Sequence, residues 1–205
     1  MSKKQIMNQT DAMARAARAK KVTWVGFWVN VVLSVAKIIA GIVGRSGAMI
    51  ADGVHSISDF VTDIIVIVFI GVSAKGENTR FRYGHGKFET FATMLISFAL
   101  FAVAVGLFWT SFSQIVDALN GKVLPRPEMV ALVMAFVSVV AKEWLFHYTR
   151  VAGEQMNSMA LVANAWHHRS DAFSSIAVLV GIGCAMFLGE RWRVLDPIAA
   201  ATVSV

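Results

Sequence analysis

The feature that most constrains this chain is a row of ionisable side chains inside an apolar stretch long enough to cross a lipid bilayer. The stretch covers about residues 47–72, and a membrane-spanning helix needs about 20 apolar residues. At about 100° per residue, four side chains fall within roughly 80° of one helical face. They are Asp52, His55, Asp59 and Asp63. Ionisable groups are costly against lipid, so this face must meet a partner or a watery cavity inside a bundle.

A second apolar stretch, at about residues 158–188, carries the same pattern. Both stretches contain His-x-x-Ser-Asp, first from His55 to Asp59 and again from His167 to Asp171. Two imidazoles and two carboxylates suit a divalent metal such as Zn²⁺ in a tetrahedral set, and the carboxylates balance its charge. The sequence therefore predicts that these four residues form one metal site.

The other ionisable side chains of these stretches are expected to act beside the ligands. His168 is rotated about 100° from the preceding histidine, so we expect it to pack or to support the site. Asp52 is expected to orient a ligand or to line the pathway, and Asp63 to attract cations at the entry. A salt bridge from Asp63 to Lys142 or Arg169 is an equally good alternative.

Each predicted ligand also has a simpler explanation. A buried Asp can be protonated and hydrogen-bonded between helices, and a buried His can be a neutral imidazole bound to a carbonyl. Two matching motifs favour the metal site. An enzyme such as an intramembrane metal hydrolase is not expected, because the chain has no His-Glu-x-x-His and all four metal positions are taken. A metal-sensing membrane protein that does not transport stays open.

Composition places the whole chain in the membrane. Of its 205 residues, 57% are hydrophobic and only 16% are charged, whereas soluble domains are about half apolar and about a quarter charged. This predicts an all-α, polytopic membrane helix bundle. The net charge of +6 then indicates topology rather than nucleic-acid binding. The single cysteine, Cys184, is expected to be a small core residue.

Hydropathy divides the chain into a basic N-terminal segment, residues 1–21, and a transmembrane domain, residues 22–205. Six spans are predicted, at about 22–43, 47–72, 90–116, 129–148, 158–188 and 195–205. The last is too short to cross a bilayer, so the sixth helix is expected to be incomplete.

The distribution of Lys and Arg predicts the orientation. The N-terminal side carries 11 in its connecting segments and the other side carries 5, so the N-terminus is expected to be cytoplasmic. The second and fifth spans are then antiparallel, with His55 across from Asp171 and Asp59 across from His167 near the midplane. An echoed motif in opposed helices is typical of transporters with inverted repeats.

Three motifs together resemble the cation diffusion facilitator family. They are Ser-Gly-x-x-x-Ala-Asp-x-x-His-Ser-x-x-Asp from Ser46, Tyr-Gly-His-Gly-Lys-x-Glu from Tyr83, and His-x-x-x-Asp from His167. The resemblance implies six membrane helices and export of divalent transition metals in exchange for protons. It places the transport site at His55, Asp59, His167 and Asp171. Histidine at the first of these positions resembles the zinc-type members.

The resemblance also implies what accompanies this domain. Zn²⁺ is expected as transported substrate, with Fe²⁺, Mn²⁺, Cd²⁺ and Co²⁺ as alternatives, and neither a cofactor nor nucleic acid is expected. A homodimer in the bacterial inner membrane is implied, and so is a C-terminal cytoplasmic domain, which this sequence does not include. That domain often pairs with the loop lysine, here Lys87. An extra loop metal site is not expected, because its three positions read Asn78, Phe81 and His85.

Overall fold

A computed structural model describes residues 3–58 and 86–204, with side chains mainly over 21–58 and 101–204. The predicted ligand Asp59, the pathway residue Asp63 and the loop residue His85 lie outside the described residues. The inner part of the second predicted span and the loop that follows it also lie outside them.

The described chain is helical, as predicted for a membrane bundle, and contains no strand within these residues. Its helices are α1 (Lys3–Val43), α2 (47–58), α3 (Gly86–Leu119), α4 (Met129–Gln155), α5 (Met159–Phe187) and α6 (Leu195–Ser204), with a 3₁₀ turn at Glu190–Val194 before α6. Within the described ranges, four helices are long and apolar enough to cross a bilayer, namely α1, α3, α4 and α5. The all-α membrane fold is therefore confirmed.

The helices extend beyond the apolar stretches that hydropathy selects. The basic N-terminal segment is continuous with the first span in a single helix of 41 residues. Helix α4 continues past residue 148 to Gln155. An ion pair between Arg150 and Glu154, at 2.8 Å and one helical turn apart, supports its final turns. The apolar stretch ends at charged residues, but the helix does not. The backbone hydrogen bonds of a helix lie within the helix itself and also form where it extends beyond the membrane.

The start of α2 is fixed by a carboxylate from the far end of the chain. Asp196 on α6 accepts a hydrogen bond from the Gly47 backbone amide at 2.8 Å and another from the Ser46 hydroxyl. The same hydroxyl accepts from the Met49 amide at 3.1 Å. Free amides at a helix start need such acceptors, and negative charge there is favourable. Asp196 thereby ties α6 to the turn between α1 and α2.

Small residues let the helices approach closely. A β-carbon added at Gly41 would lie 2.7 Å from Ile50, and one added at Gly53 would lie 2.7 Å from Ile38, so α1 and α2 pack directly backbone against backbone. The core around them consists largely of alanines, including Ala48, Ala131, Ala135 and Ala200. Close contacts of this kind hold helices together where no water drives their association.

The bundle has apolar side chains outside and polar side chains inside. Large residues such as Trp109 and Phe136 are exposed on its surface, whereas Lys37, Asp52 and Lys142 are buried. Helix α5 packs against α4 and α6, while α1 packs against α4 and α6 against α3. Apolar side chains outside and several ionisable groups buried inside are typical of a protein surrounded by lipid.

Candidate functional site

Helix α5 carries the predicted ligands Asp171 and His167 near its middle. Asp171 is buried, with 8% of its surface exposed. Its two carboxylate oxygens have different neighbours: Oδ2 accepts a hydrogen bond from the Lys142 ammonium of α4 at 2.6 Å, and Oδ1 lies 3.9 Å from Nε2 of His167. The structure therefore brings His167 and Asp171 together. It also places the Lys142 ammonium against Asp171, a contact that the sequence did not predict.

The two adjacent histidines of α5 have opposite environments. About half of the His167 side chain is exposed, whereas His168 is buried, with 3% exposure. His168 lies against α1 near Gly26. Neither of its ring nitrogens has a hydrogen-bond partner among the described residues. The 100° step along the helix explains the difference. His168 is buried in the bundle, and a supporting role for it at the site stays a prediction.

His55 on α2 lies beside α3 and α6. It lines a small cavity of about 50 Å³ together with Leu107 of α3 and Val203 of α6. Across the described ranges, no three His, Cys, Asp or Glu side chains lie close enough to hold a metal ion. The structure thus joins His167 to Asp171 and does not join His55 to them, and Asp59 lies outside the described residues. The four-ligand set remains a prediction.

A second group of buried polar side chains, here called the Lys37 cluster, lies one turn further along α5. It consists of Lys37, Asp52, Ser56 and Ser175. The ammonium of Lys37 is 2.8 Å from Asp52 Oδ2 and donates to the hydroxyls of Ser56 at 3.1 Å and Ser175 at 3.2 Å. Ser175 in turn donates to the Asp52 carboxylate. The cluster therefore connects α1, α2 and α5 through hydrogen bonds inside the bundle.

The Lys37 cluster gives Asp52 a definite neighbour. The sequence suggested that Asp52 orients His55 or lines a pathway, and both roles remain predictions. In the structure its carboxylate points to α1 and α5, where it neutralises a buried lysine. The two side chains of this salt bridge are 1% and 2% exposed. Their pairing offsets the free-energy cost of burying each charge in the membrane.

Two lysines at these sites were not assigned by sequence reasoning. Lys37 is the one charged residue within the first predicted span, residues 22–43, and a lone intramembrane lysine is itself a signal of a buried partner. Lys142 was considered only as a partner for Asp63, with Arg169 as the other candidate. The structure pairs Lys142 with Asp171 and places Arg169 over the ring of Phe146.

Comparison with known proteins is consistent with these observations. The model of the cation efflux transmembrane domain matches residues 23–205. The chain is 34% identical to the manganese efflux system protein MneP of Bacillus subtilis, over 94% of the chain and 65% of that protein. It is 33% identical to the magnetosome protein MamB of Magnetospira sp. strain QH-2, over 96% of the chain and 64% of that protein.

A plant relative shows the same similarity over a smaller share of its length. Metal tolerance protein C1 of Arabidopsis thaliana is 36% identical over 90% of the chain and 41% of that protein. The chain thus spans about half the length of several curated relatives it matches. A domain match over residues 23–205, on a helical bundle with ionisable groups in its interior, places this chain in the cation efflux family of metal transporters.

Proposed function

We propose that this domain moves a divalent transition metal out of the cytoplasm through a site that includes Asp171 and His167. The observation that carries the proposal is a carboxylate and an imidazole 3.9 Å apart at the middle of a membrane-capable helix. Ionisable groups at that depth mark ion pathways in membrane proteins. The family match supports transport over sensing. His55 and Asp59 complete the proposed set, since they carry the same His-x-x-Ser-Asp pattern on α2 and beyond.

Zn²⁺ is the proposed substrate, because two nitrogen and two oxygen donors suit its tetrahedral preference. Mn²⁺ is the second candidate, and the similarity to a manganese efflux protein favours it. Mn²⁺ prefers oxygen donors and higher coordination numbers. The two candidates are ranked by a competition assay. The rate of transport of each metal is measured in the same vesicle preparation with a fixed concentration of the other metal present.

Proton exchange is part of the proposal. Ligating histidines must be neutral and ligating carboxylates ionised, so metal binding expels protons from such a site. An ordinary histidine titrates near pH 6.5, within the range where cells maintain proton gradients. Metal affinity should therefore fall as the pH decreases from about 7 to 5, and protons should be released on binding. A metal affinity that does not change with pH, together with no proton release on binding, would contradict proton exchange and indicate a passive carrier.

Orientation and assembly belong to the same proposal. The excess of Lys and Arg on the N-terminal side supports a cytoplasmic N-terminus, and the match to the cation efflux domain supports export as the direction of transport. The homodimer and the location in a bacterial inner membrane stay predictions from the family resemblance. Labelling with an amine reagent that does not cross the membrane tests the orientation, because Lys21 ends the N-terminal segment and Lys122 lies between α3 and α4 on the predicted opposite side.

The central experiment compares two aspartates that differ in burial. Asp171→Asn removes the charge of a proposed ligand from the interior. It should abolish both the transport of metal into liposomes and the binding of metal by the purified protein. Asp117→Asn makes the same chemical change at an exposed pair with Lys122 and should leave both unchanged. Tight stoichiometric Zn²⁺ binding by Asp171→Asn, with transport at the wild-type rate, would refute the proposed site.

A further inference from the structure

From the geometry of α4 and α5 we infer that Lys142 is a built-in competitor for the transported metal. Its ammonium would bind the Asp171 carboxylate until a divalent cation displaces it. The inference rests on the proposed function, because it takes Asp171 as a ligand. It adds a specificity-determining residue that lies on α4, outside the helices that carry the predicted ligands.

The contact is well placed for competition. The ammonium lies 2.6 Å from Oδ2 of Asp171, and the two side chains are only 3% and 10% exposed. A metal bound by this carboxylate and His167 would add positive charge beside Lys142, in a setting where charges repel strongly. The ammonium and the metal therefore cannot both hold the carboxylate at low cost.

Lys142 has the means to leave. A lysine ammonium is a point charge on a flexible four-carbon stem, so it can swing away without moving the backbone. The buried imidazole of His168, one turn before Asp171 on α5, has no hydrogen-bond partner among the described residues. Lys142 and Asp171 are both electrostatic neighbours of this imidazole. In this inference the displaced ammonium donates to a ring nitrogen of His168 while the metal takes the carboxylate.

Such an exchange favours divalent ions. A monovalent cation that replaced the ammonium would bring the same charge to the carboxylate and would gain no electrostatic attraction over it. A divalent cation brings twice the charge and gains the imidazole ligand as well. Lys142 thus makes Na⁺ and K⁺ poor competitors for the carboxylate, and it lowers the affinity for the divalent metal.

The test is the metal affinity of Lys142→Met, measured by titration of the purified protein with Zn²⁺ and with Mn²⁺. Removing the competitor should tighten binding by roughly ten- to a hundredfold, the range expected for one charge-assisted hydrogen bond. Lys122→Met breaks an exposed lysine–aspartate pair and should keep the wild-type affinity.

The outcomes separate this inference from the proposed site. Loss of binding in Asp171→Asn with unchanged or weaker binding in folded Lys142→Met would overturn the competitor role alone. Unimpaired binding in Asp171→Asn would refute the site and the competitor together. A structural role for Lys142 predicts weaker binding, whereas the competitor role predicts tighter binding, so the sign decides.

A measurement on the wild-type protein covers the case in which Lys142→Met does not fold. Amine-reactive labelling followed by mass spectrometry compares Lys142 with Lys37 before and after saturation with Zn²⁺. Metal should change the labelling of Lys142 at least severalfold, because its ammonium leaves the carboxylate, and should leave the labelling of Lys37 unchanged. Labelling of Lys142 that does not respond to metal would overturn the inference.

Discussion

Replacing Lys37 by methionine should destabilise the bundle far more than a lysine substitution at the surface. Methionine has nearly the length of lysine and fills the same space without a charge. The substitution removes the cation that neutralises Asp52 and leaves that carboxylate inside the bundle. The cost is therefore electrostatic and does not arise from a cavity.

The magnitude follows from burial. Breaking a buried ion pair by removing one partner costs about 3–5 kcal/mol, because the remaining charge stays uncompensated. Lys37 and Asp52 are 1% and 2% exposed and 2.8 Å apart, so we expect about 4 kcal/mol. Lys122 and Asp117 are also 2.8 Å apart, but they are 68% and 39% exposed. Lys122→Met should therefore cost about 0–1 kcal/mol.

The assay is the free energy of unfolding in mixed detergent micelles, obtained from denaturant titrations of wild type, both single variants and Lys37→Met/Asp52→Leu. Replacing both partners by apolar groups of similar volume is often neutral, so the double variant should recover most of the loss. A cost below about 1 kcal/mol for Lys37→Met, equal to that of Lys122→Met, would show that the buried pair is not desolvated and would refute the reasoning.

Two further substitutions test other parts of the molecule. Asp196→Ala should lower the free energy of unfolding by about 1–3 kcal/mol, because it leaves the Gly47 amide and the Ser46 hydroxyl without their acceptor; the same titrations check this, with Asp117→Ala as the exposed control. His55→Asp should shift transport towards Mn²⁺, because oxygen donors suit that ion better. An unchanged order of transported metals would count against His55 as a ligand.

The fold was predictable because its signal is local. An apolar stretch long enough to cross a bilayer must form a helix, since lipid offers no partner for backbone hydrogen bonds. Helix α5 accordingly occupies Met159–Phe187, within the predicted span 158–188. The helix ends were less predictable, because charged turns such as the one at Arg150 continue a helix into water.

The pairing of buried charges was not predictable in the same way. Periodicity shows which side chains share a face of one helix, but it does not show which neighbouring helix that face meets. Lys142 was therefore considered only as an alternative partner for Asp63, which lies outside the described residues, and its ion pair with Asp171 was not predicted. The capping of α2 by Asp196 depends on a contact between residues 149 positions apart, for which the local sequence holds no signal.

The Lys37 cluster also determines how a bundle of this kind can move. Its hydrogen bonds join α1, α2 and α5 about two helical turns from the connection between α1 and α2, and Asp196 binds α6 to that connection. Pulling these helices apart there would break a desolvated ion pair. If the domain transports as proposed, we expect its helices to tilt about this point, so that a small rotation there becomes a larger displacement at the opposite membrane surface.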